Sequence, residues 1–146
     1  MIPSLSIILH VDDDPNDLLF LKNAIEMTKP SIKVVSASDG AEAIDYLTGT
    51  GVYGDREHYP LPSLVLLDLK MPRQNGFEVL SWIRSQPKLK RLPVVIFTAS
   101  NHGDDMERAY DSGANSYLIK PVTFDDLVEL VQGLVHYWSN LNQTGV

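Results

Sequence analysis

The sequence predicts an α/β protein in which helices cover both faces of a parallel β-sheet. Short runs rich in leucine or β-branched residues alternate with helix-length segments whose apolar period is near 3.6, which is the pattern of βαβ units. The short runs are apolar along almost their whole length, as expected for strands buried on both faces. Five such pairs fit in 146 residues, so we expect a single domain covering 1–146.

The order of the strands follows from general rules of chain connection. Short connections and right-handed crossovers favour a (βα)5 three-layer sandwich with the flavodoxin-like order 2-1-3-4-5. The first and third strands are then neighbours at the switch point of the sheet. The predicted strands are Ile7–Val11, Lys33–Ala37, Leu64–Leu67, Val94–Phe97 and Tyr117–Ile119.

Capping signals indicate where the first two helices start. Asp14 is the predicted N-cap of the first helix, Pro15 is its first residue, and Pro30 limits its end. Asp39 stands three residues before Glu42, which is an aspartate version of the capping box and predicts the start of the second helix. Both helices therefore begin within a few residues of a predicted strand end.

The third and fourth helices differ in apolar content. The third follows Asn75-Gly76 and cannot continue past Gln86, because Pro87 disfavours a helical residue before it. The fourth, at about 104–112, is polar. We expect it to pack weakly and to move.

The fifth helix carries the longest apolar stripe. It opens at Thr123, with Asp126 three residues on as in a capping box. Its C-terminal extension continues the stripe beyond what a core of this size covers, through Leu130, Leu134, Tyr137, Trp138 and Leu141. Because uncovered aromatic surface is typical of an interaction site, we predict a homodimer contact or a docking surface there. The alternative is that Trp138 folds back onto the core.

Polar residues stand where four of the predicted strands end. Asp12-Asp13 follows the first strand, Asp68 the third, Thr98 the fourth and Lys120 the fifth. The carboxyl ends of parallel strands share one edge of the sheet, where open α/β folds bind their ligands. We therefore expect three carboxylates, a hydroxyl and an ammonium to meet, and this set suits a magnesium ion and a phosphoryl group.

The three carboxylates predict a metal site. Asp12, Asp13 and Asp68 would repel one another, so either some are protonated or a divalent cation neutralises them. An all-oxygen ligand set suits Mg²⁺, with Mn²⁺ as a substitute. We assign Asp14 to the helix cap instead.

Asp68 is the best candidate for a nucleophile toward a phosphoryl donor. A bound metal screens the negative charges that otherwise keep a carboxylate and a phosphate apart. The metal would take one oxygen of the transferred group, the Lys120 ammonium a second and the Thr98 hydroxyl a third. These residues together predict a phosphoryl-transfer site.

Composition excludes several other classes of protein. The chain has no cysteine, which excludes disulfides and thiolate metal sites, and its net charge of -7 opposes nucleic acid binding. Met1–Ser4 carries no basic region, and no long apolar stretch follows it. We therefore expect no signal peptide, no membrane span and a cytoplasmic location.

Five segments carry a family resemblance and together span nearly the whole chain. They are Val11-Asp12-Asp13-Asp14-Pro15, Leu67-Asp68-Leu69-Lys70-Met71-Pro72 with Asn75-Gly76, Phe97-Thr98-Ala99, Gly113-Ala114-Asn115-Ser116-Tyr117, and Lys120-Pro121. In this order and spacing they resemble the receiver domain of two-component response regulators.

The resemblance implies a role for each acidic residue. Asp68 would be the phosphoacceptor, Asp13 a direct metal ligand and Asp12 a ligand through water. The main-chain carbonyl of Lys70 would complete the protein ligands. Such a protein catalyses only its own phosphorylation and dephosphorylation, so we expect no other enzymatic activity.

The resemblance also implies a conformational switch. Thr98 and Tyr117 would be the switch pair, and the Lys120–Pro121 peptide bond would be cis. A sensor histidine kinase would dock near the first helix and phosphorylate Asp68, and the new charge would attract Thr98 and Lys120. The face formed by the fourth helix, fifth strand and fifth helix would then repack and act on a separate protein or a second copy.

Two further features narrow the resemblance. The long segment at about 48–62, between the second helix and the third strand, and the ending from Gln132 to Trp138 resemble the small regulators paired with bacterial phytochromes. They imply a bacteriophytochrome as the kinase.

Two alternatives belong to other classes. A haloacid-dehalogenase-like phosphohydrolase would use Asp12 as nucleophile and Asp14 as acid, but Asn16 stands where that pattern has Thr or Val, and Asp68 would have no role. A flavodoxin-like cofactor binder is opposed by the acidic loop after the first strand. A flavin phosphate needs backbone amides and hydroxyls at that place.

Overall fold

The structure is a computed structural model that describes residues 5–143. Met1–Ser4, in which we expected no signal peptide, lies outside this range. The described residues form one five-stranded sheet in which every neighbouring pair is parallel and the strand order is 2-1-3-4-5. The predicted fold class and strand order are therefore confirmed.

The strands agree closely with the predicted apolar runs. They are β1 Ile7–Val11, β2 Lys33–Ala37, β3 Leu64–Leu67, β4 Val94–Thr98 and β5 Ser116–Ile119. The last two are each one residue longer than predicted. The added residues are polar but belong to the β4–β5 ladder, where Val95 pairs with Ser116 and Thr98 with Ile119. An apolar pattern does not reveal such pairing.

The first, second and fifth helices begin at the predicted caps, whereas the third and fourth each begin one residue earlier than predicted. The helices are α1 Pro15–Thr28, α2 Gly40–Thr48, α3 Gly76–Ser85, α4 Gly103–Asp111 and α5 Phe124–His136. The Asp14 and Asp39 carboxylates accept hydrogen bonds from the amides of Asn16 and Glu42, at 2.9 and 2.8 Å. In the part of the chain described, no helix has both the length and the apolar character needed to cross a membrane.

The core has two halves, one on each face of the sheet. Successive strand residues alternate between them: Leu9 packs with α2, α3 and α4, whereas Ile8 packs with α1 and α5. This is the predicted three-layer sandwich. Helix α4 contributes little, because Ala109 is its one buried residue.

The predicted long segment between α2 and β3 folds back onto α2. It contains a short 3-10 helix, Gly51–Gly54. The Arg56 guanidinium donates to the carbonyls of Tyr46 and Leu47 at the end of α2, at 2.8 and 2.9 Å. The buried Tyr46 hydroxyl donates to the Pro60 carbonyl at 2.7 Å. Arg56 and Pro60 therefore attach the segment to α2.

Beyond α5 the chain continues as a π-helical turn, Tyr137–Leu141. Trp138 is half-buried and packs against the α1–α5 half of the core. Tyr137 and Leu141 are 47% and 59% exposed. Of the two aromatic residues predicted to form an exposed surface, Trp138 packs onto the domain and Tyr137 is exposed to solvent.

The predicted cis bond at Lys120–Pro121 is wrong for this structure, in which no described residue has a cis peptide bond. The trans isomer of an X–Pro bond is favoured by about 0.5–1 kcal/mol. The trans chain still extends the sheet, since the Lys120 amide donates to the Thr98 carbonyl at 2.8 Å. The Lys120 side chain contacts the carboxylates of Asp12 and Asp68.

Candidate functional site

The ladder hydrogen bonds of the sheet extend to the acidic residues themselves. The Asp12 amide donates to the Ala37 carbonyl, and the Asp68 amide donates to the Val11 carbonyl, each at 3.0 Å. Neighbouring strands therefore hold the backbones of Asp12 and Asp68 side by side. One carboxylate oxygen from each of Asp12, Asp13 and Asp68 lies within 4.8 Å of the other two.

The three carboxylates have different surroundings. Asp12 is fully buried; its Oδ1 accepts a hydrogen bond from the Asp14 amide at 2.9 Å, and its Oδ2 lies 2.7 Å from Lys120 Nζ. Asp68 is nearly buried, with its Oδ2 at 3.0 Å from the same ammonium. Asp13 is exposed. Asp13 is thus the carboxylate most open to an incoming cation, whereas both Asp12 oxygens already have partners.

The donor set fits a hard divalent cation. It offers three carboxylates and no nitrogen or sulfur ligand, as Mg²⁺ prefers. The Lys70 carbonyl, predicted as a further ligand, belongs to a residue that lines a cavity of about 490 Å³ together with Asp13. The chemistry of these residues therefore suits the predicted metal.

The structure adds a fourth carboxylate that the sequence did not indicate. Lys120 Nζ lies 2.7 Å from Asp17 Oδ2, as close as it lies to Asp12. Asp17 is in the first turn of α1, five residues after Asp12. Asp17 and Lys120 are 103 residues apart in sequence, so no local pattern could predict their contact.

The ammonium and the buried groups shift one another's proton affinities. Burial raises the pKa of Asp12 to about 6, although a hydrogen bond from Lys120 opposes the shift. Burial by itself lowers the pKa of Lys120, but bonds to Asp12 and Asp17 outweigh it and the pKa is raised. Burial, aided by the charge of Lys120, lowers the pKa of His10 to about 3. His10 is therefore neutral and Lys120 charged at pH 7.

The pKa of Asp12 predicts a pH-dependent effect of Asp12→Asn in the metal-free protein. The folded-state pKa, about 6, exceeds the ordinary value of 3.8, so the folded protein binds this proton more tightly than the unfolded chain does. The resulting stability is complete below about pH 4 and is lost as the pH rises through about 6. An amide resembles the protonated acid. We therefore expect Asp12→Asn to be more stabilising at pH 7 than at pH 4.

Urea unfolding in a chelator at several pH values measures this difference. The exposed Asp125→Asn serves as a control for loss of one charge. An Asp12→Asn effect that is equal at pH 4 and pH 7 would contradict the raised pKa.

The predicted switch residues Thr98 and Tyr117 are both hydrogen-bonded to the backbone of Ser100, in the loop after β4. Thr98 is fully buried at the end of β4. The Tyr117 hydroxyl donates to the Ser100 carbonyl at 2.9 Å, and the Ser100 hydroxyl donates to Asp105 Oδ2 at 2.6 Å. Lys70 Nζ lies 3.5 Å from the same Asp105 oxygen. The contacts thus connect the loop after Asp68 with α4 and β5.

Ser100 and Asp105 were not predicted as site residues. Ser100 stands two residues after Thr98 and Asp105 five residues further on, in the first turn of α4. The Ser100 hydrogen bond is the main reason why the pKa of Asp105 lies below its ordinary value. A polar side chain beside a helix start was the available signal, but it is too common to identify a site.

Comparison with known proteins identifies a family to which this sequence is similar. The family model for the response regulator receiver domain matches residues 8–132. A probable methanogenesis regulatory protein, FilR2 of Methanothrix harundinacea, is 39% identical over 138 residues, which are 94% of this chain and 86% of FilR2. Response regulator Rcp1 of Synechocystis is 36% identical over 132 residues, which are 90% of this chain and 88% of Rcp1.

Solved structures agree with this match. The phosphorylated cyanobacterial phytochrome response regulator RcpA superposes with a TM-score of 0.89 at 33% identity, covering 98% of this chain and all of RcpA. The Mn²⁺-bound form of Rcp1 superposes with a TM-score of 0.84 at 33% identity, covering 99% of this chain and all of that protein.

Proposed function

The chain belongs to the family of response regulator receiver domains, and on this premise we propose that it accepts a phosphoryl group on Asp68 from a sensor histidine kinase. One observation carries the proposal: Asp68 Oδ2 lies 3.0 Å from the Lys120 ammonium, beside two further carboxylates at the same edge of the sheet. A nearly buried carboxylate next to a cation and a metal-ligand set is suited to form an acyl phosphate.

Each polar group has a separate task in the proposed reaction. Asp68 attacks the phosphorus atom of the donor, and the donor's histidine departs with the electrons of the broken P–N bond. The Lys120 ammonium and the Thr98 hydroxyl bind oxygens of the transferred group. Asp12, Asp13, Asp68 and the Lys70 carbonyl would hold a divalent cation, which would screen the negative charges of the carboxylates and the phosphoryl group.

We propose Mg²⁺ as the cation, with Mn²⁺ as a substitute. The Mn²⁺-bound form of the related Rcp1 and the all-carboxylate donor set support a divalent ion at this place. Asp13 serves as a direct ligand because it is exposed. Asp12 acts through water because both of its oxygens have partners.

The different surroundings of Asp12 and Asp13 predict a ranking of metal affinities. Asp13→Asn should weaken Mg²⁺ binding more than Asp12→Asn, since it removes a direct ligand rather than one acting through water. Titration calorimetry of both variants measures the ranking. Equal affinities for both variants and the wild type would mean that this acidic pair does not bind the metal.

We propose that the kinase docks across α1 and the start of α5. Phe20 and Phe124 form an exposed edge-to-face pair with ring centroids 6.3 Å apart, and Val122 is fully exposed next to them. The cavity beside this pair also contains Lys120, so a partner seated there would lie at the entrance to Asp68. The relationship to RcpA supports a bacteriophytochrome as the kinase.

Signal output follows from the contacts of the β4–α4 loop. A phosphoryl group on Asp68 draws Thr98 and Lys120 toward it, and the loop containing Ser100 moves with Thr98. Tyr117 is bonded to that loop. The movement therefore reaches the face formed by α4, β5 and α5, which acts on a separate protein or on a second copy.

The proposal includes the remaining properties expected from the sequence. Residues 1–146 form one receiver domain, to which the segment 48–62 and the C-terminal extension are additions. The protein acts in the cytoplasm, where the kinase presents its phosphohistidine. It catalyses only its own phosphorylation and dephosphorylation.

Acetyl phosphate tests the proposed function without knowledge of the kinase. The protein is incubated with the donor in Mg²⁺ or in chelator, and the label is located by mass spectrometry. We expect about one phosphoryl group per chain, on Asp68, in Mg²⁺ alone. A label on Asp12 with turnover of the donor would instead support the phosphohydrolase alternative, and the absence of any label would overturn the proposal.

We propose a homodimer contact at the C-terminal extension, and Tyr137→Ala tests it. The exposed Tyr137 ring borders a cavity of about 650 Å³ between β5 and α5, lined by Leu130 and Leu134. Sedimentation should show a concentration-dependent dimer that Tyr137→Ala weakens. Trp138→Ala should lower thermal stability as well, because Trp138 packs on the core. A monomeric wild type at all concentrations would contradict the dimer.

A further inference from the structure

The Lys120 ammonium lies among three carboxylates, and Asp17 differs from the other two. Asp12, Asp17 and Asp68 each place an oxygen within 3.0 Å of Lys120 Nζ. Asp17 and Asp68 accept hydrogen bonds from this ammonium, and Asp12 forms an ion pair with it. Asp12 and Asp68 also belong to the proposed metal-ligand group, whereas Asp17 does not.

The proposed reaction removes partners from the ammonium. Once Asp68 carries a phosphoryl group, the Asp68 oxygen that receives it is no longer an anionic partner for Lys120. A metal ion at the proposed site would likewise engage Asp12 through water. Asp17 is neither the proposed phosphoacceptor nor a proposed metal ligand, so neither event uses its carboxylate.

We propose that Asp17 is a positioning residue for phosphotransfer: it holds the Lys120 ammonium at the cleft, ready to bind an oxygen of the incoming phosphoryl group. This inference rests on the proposed function of Asp68. A lysine side chain has four rotatable bonds, so an anchor that does not take part in the reaction reduces the entropy lost when the ammonium binds phosphate.

The fold explains why an anchor at this place is stable. Asp17 lies in the first turn of α1, where the helix dipole favours negative charge. Its side chain is about one-third exposed and lines the same cavity as Phe20 and Phe124. A partner docked on α1 would therefore contact the residue that positions Lys120.

Asp17→Asn tests the inference, because the amide keeps the shape and removes the charge. Asp125→Asn is the matched control: it removes one exposed aspartate from the first turn of α5. The first readout is the NMR order parameter of the Lys120 ammonium in metal-free protein, with the resonance assigned through its loss in Lys120→Arg. The second readout is the rate of labelling by acetyl phosphate at saturating Mg²⁺, together with the Mg²⁺ affinity.

We expect Asp17→Asn to lower the order parameter of Lys120 and to slow labelling about tenfold, as for loss of one charge-assisted hydrogen bond. The Mg²⁺ affinity should change less than about threefold, because Asp17 is not a ligand, and Asp125→Asn should change nothing. Unchanged mobility of Lys120, or an unchanged labelling rate, overturns the inference. If the wild type takes no label at all, the proposed function fails, while the order parameter still tests the anchoring role.

Discussion

Asp68→Asn is expected to abolish phosphate incorporation while leaving the fold intact. The amide has nearly the same shape as the carboxylate, but it cannot form the acyl phosphate. Its oxygen can still accept a hydrogen bond from Lys120 Nζ, which lies 3.0 Å from the native carboxylate. Mass spectrometry after acetyl phosphate treatment measures the loss, and thermal unfolding measures the fold.

Asp14→Asn is the matched control for this change. It removes a charge from the same acidic loop, but asparagine caps helices as well as aspartate does, so α1 should be unaffected. We expect Asp14→Asn to be labelled at nearly the wild-type rate. Wild-type labelling of Asp68→Asn would exclude Asp68 as the acceptor.

Gly76→Ala is expected to destabilise the domain by at least about 2 kcal/mol, in the range of severe overpacking. Helix α3 begins directly against the backbone that carries the phosphoacceptor, and the Gly76 amide donates to the Leu69 carbonyl at 3.1 Å. A Cβ atom at position 76 would lie 2.8 Å from Leu69 Cα and 2.9 Å from Asp68 C, closer than real Cβ contacts. Either the helix or the Asp68 backbone must shift, so we also expect slower labelling by acetyl phosphate.

Gly133→Ala serves as the comparison for Gly76→Ala. Gly133 is inside α5, and a Cβ there would meet no atom within 4 Å. Alanine should therefore stabilise the protein by about 0.5–1 kcal/mol through its better helix propensity. Urea unfolding of both variants gives the two free energies. Equal effects of the same sign would show that close contact at Asp68 does not decide the outcome.

The sequence predicted those site residues that stand at the end of a β-strand. Asp12, Asp68 and Thr98 are each adjacent to an apolar run, and parallel pairing places the ends of such runs at one edge of the sheet. The caps at Asp14 and Asp39 were equally local, because a capping residue and its partner are two or three residues apart.

Contacts that depend on how helices approach the sheet could not be predicted. Asp17, in the first turn of α1, meets the side chain of Lys120, which directly follows β5, and no periodicity encodes that approach. The hydrogen bond from Ser100 to Asp105 joins the β4–α4 loop to the first turn of α4, but residues of these two types are common at any helix start. The cis bond at Lys120–Pro121 came from the resemblance alone, and the structure has the trans isomer.

Because α4 buries little of its surface, little free energy is needed to shift it between two positions. With Ala109 as its one buried residue, this helix contributes little to the global free energy of unfolding. Moving a two-state equilibrium from 1:99 to 99:1 takes about 5.5 kcal/mol. A few charge-assisted hydrogen bonds to one phosphoryl group are of this size. The sheet and the other helices can therefore stay folded while α4 exchanges between two positions, and amide hydrogen exchange in α4 should be faster than in α3.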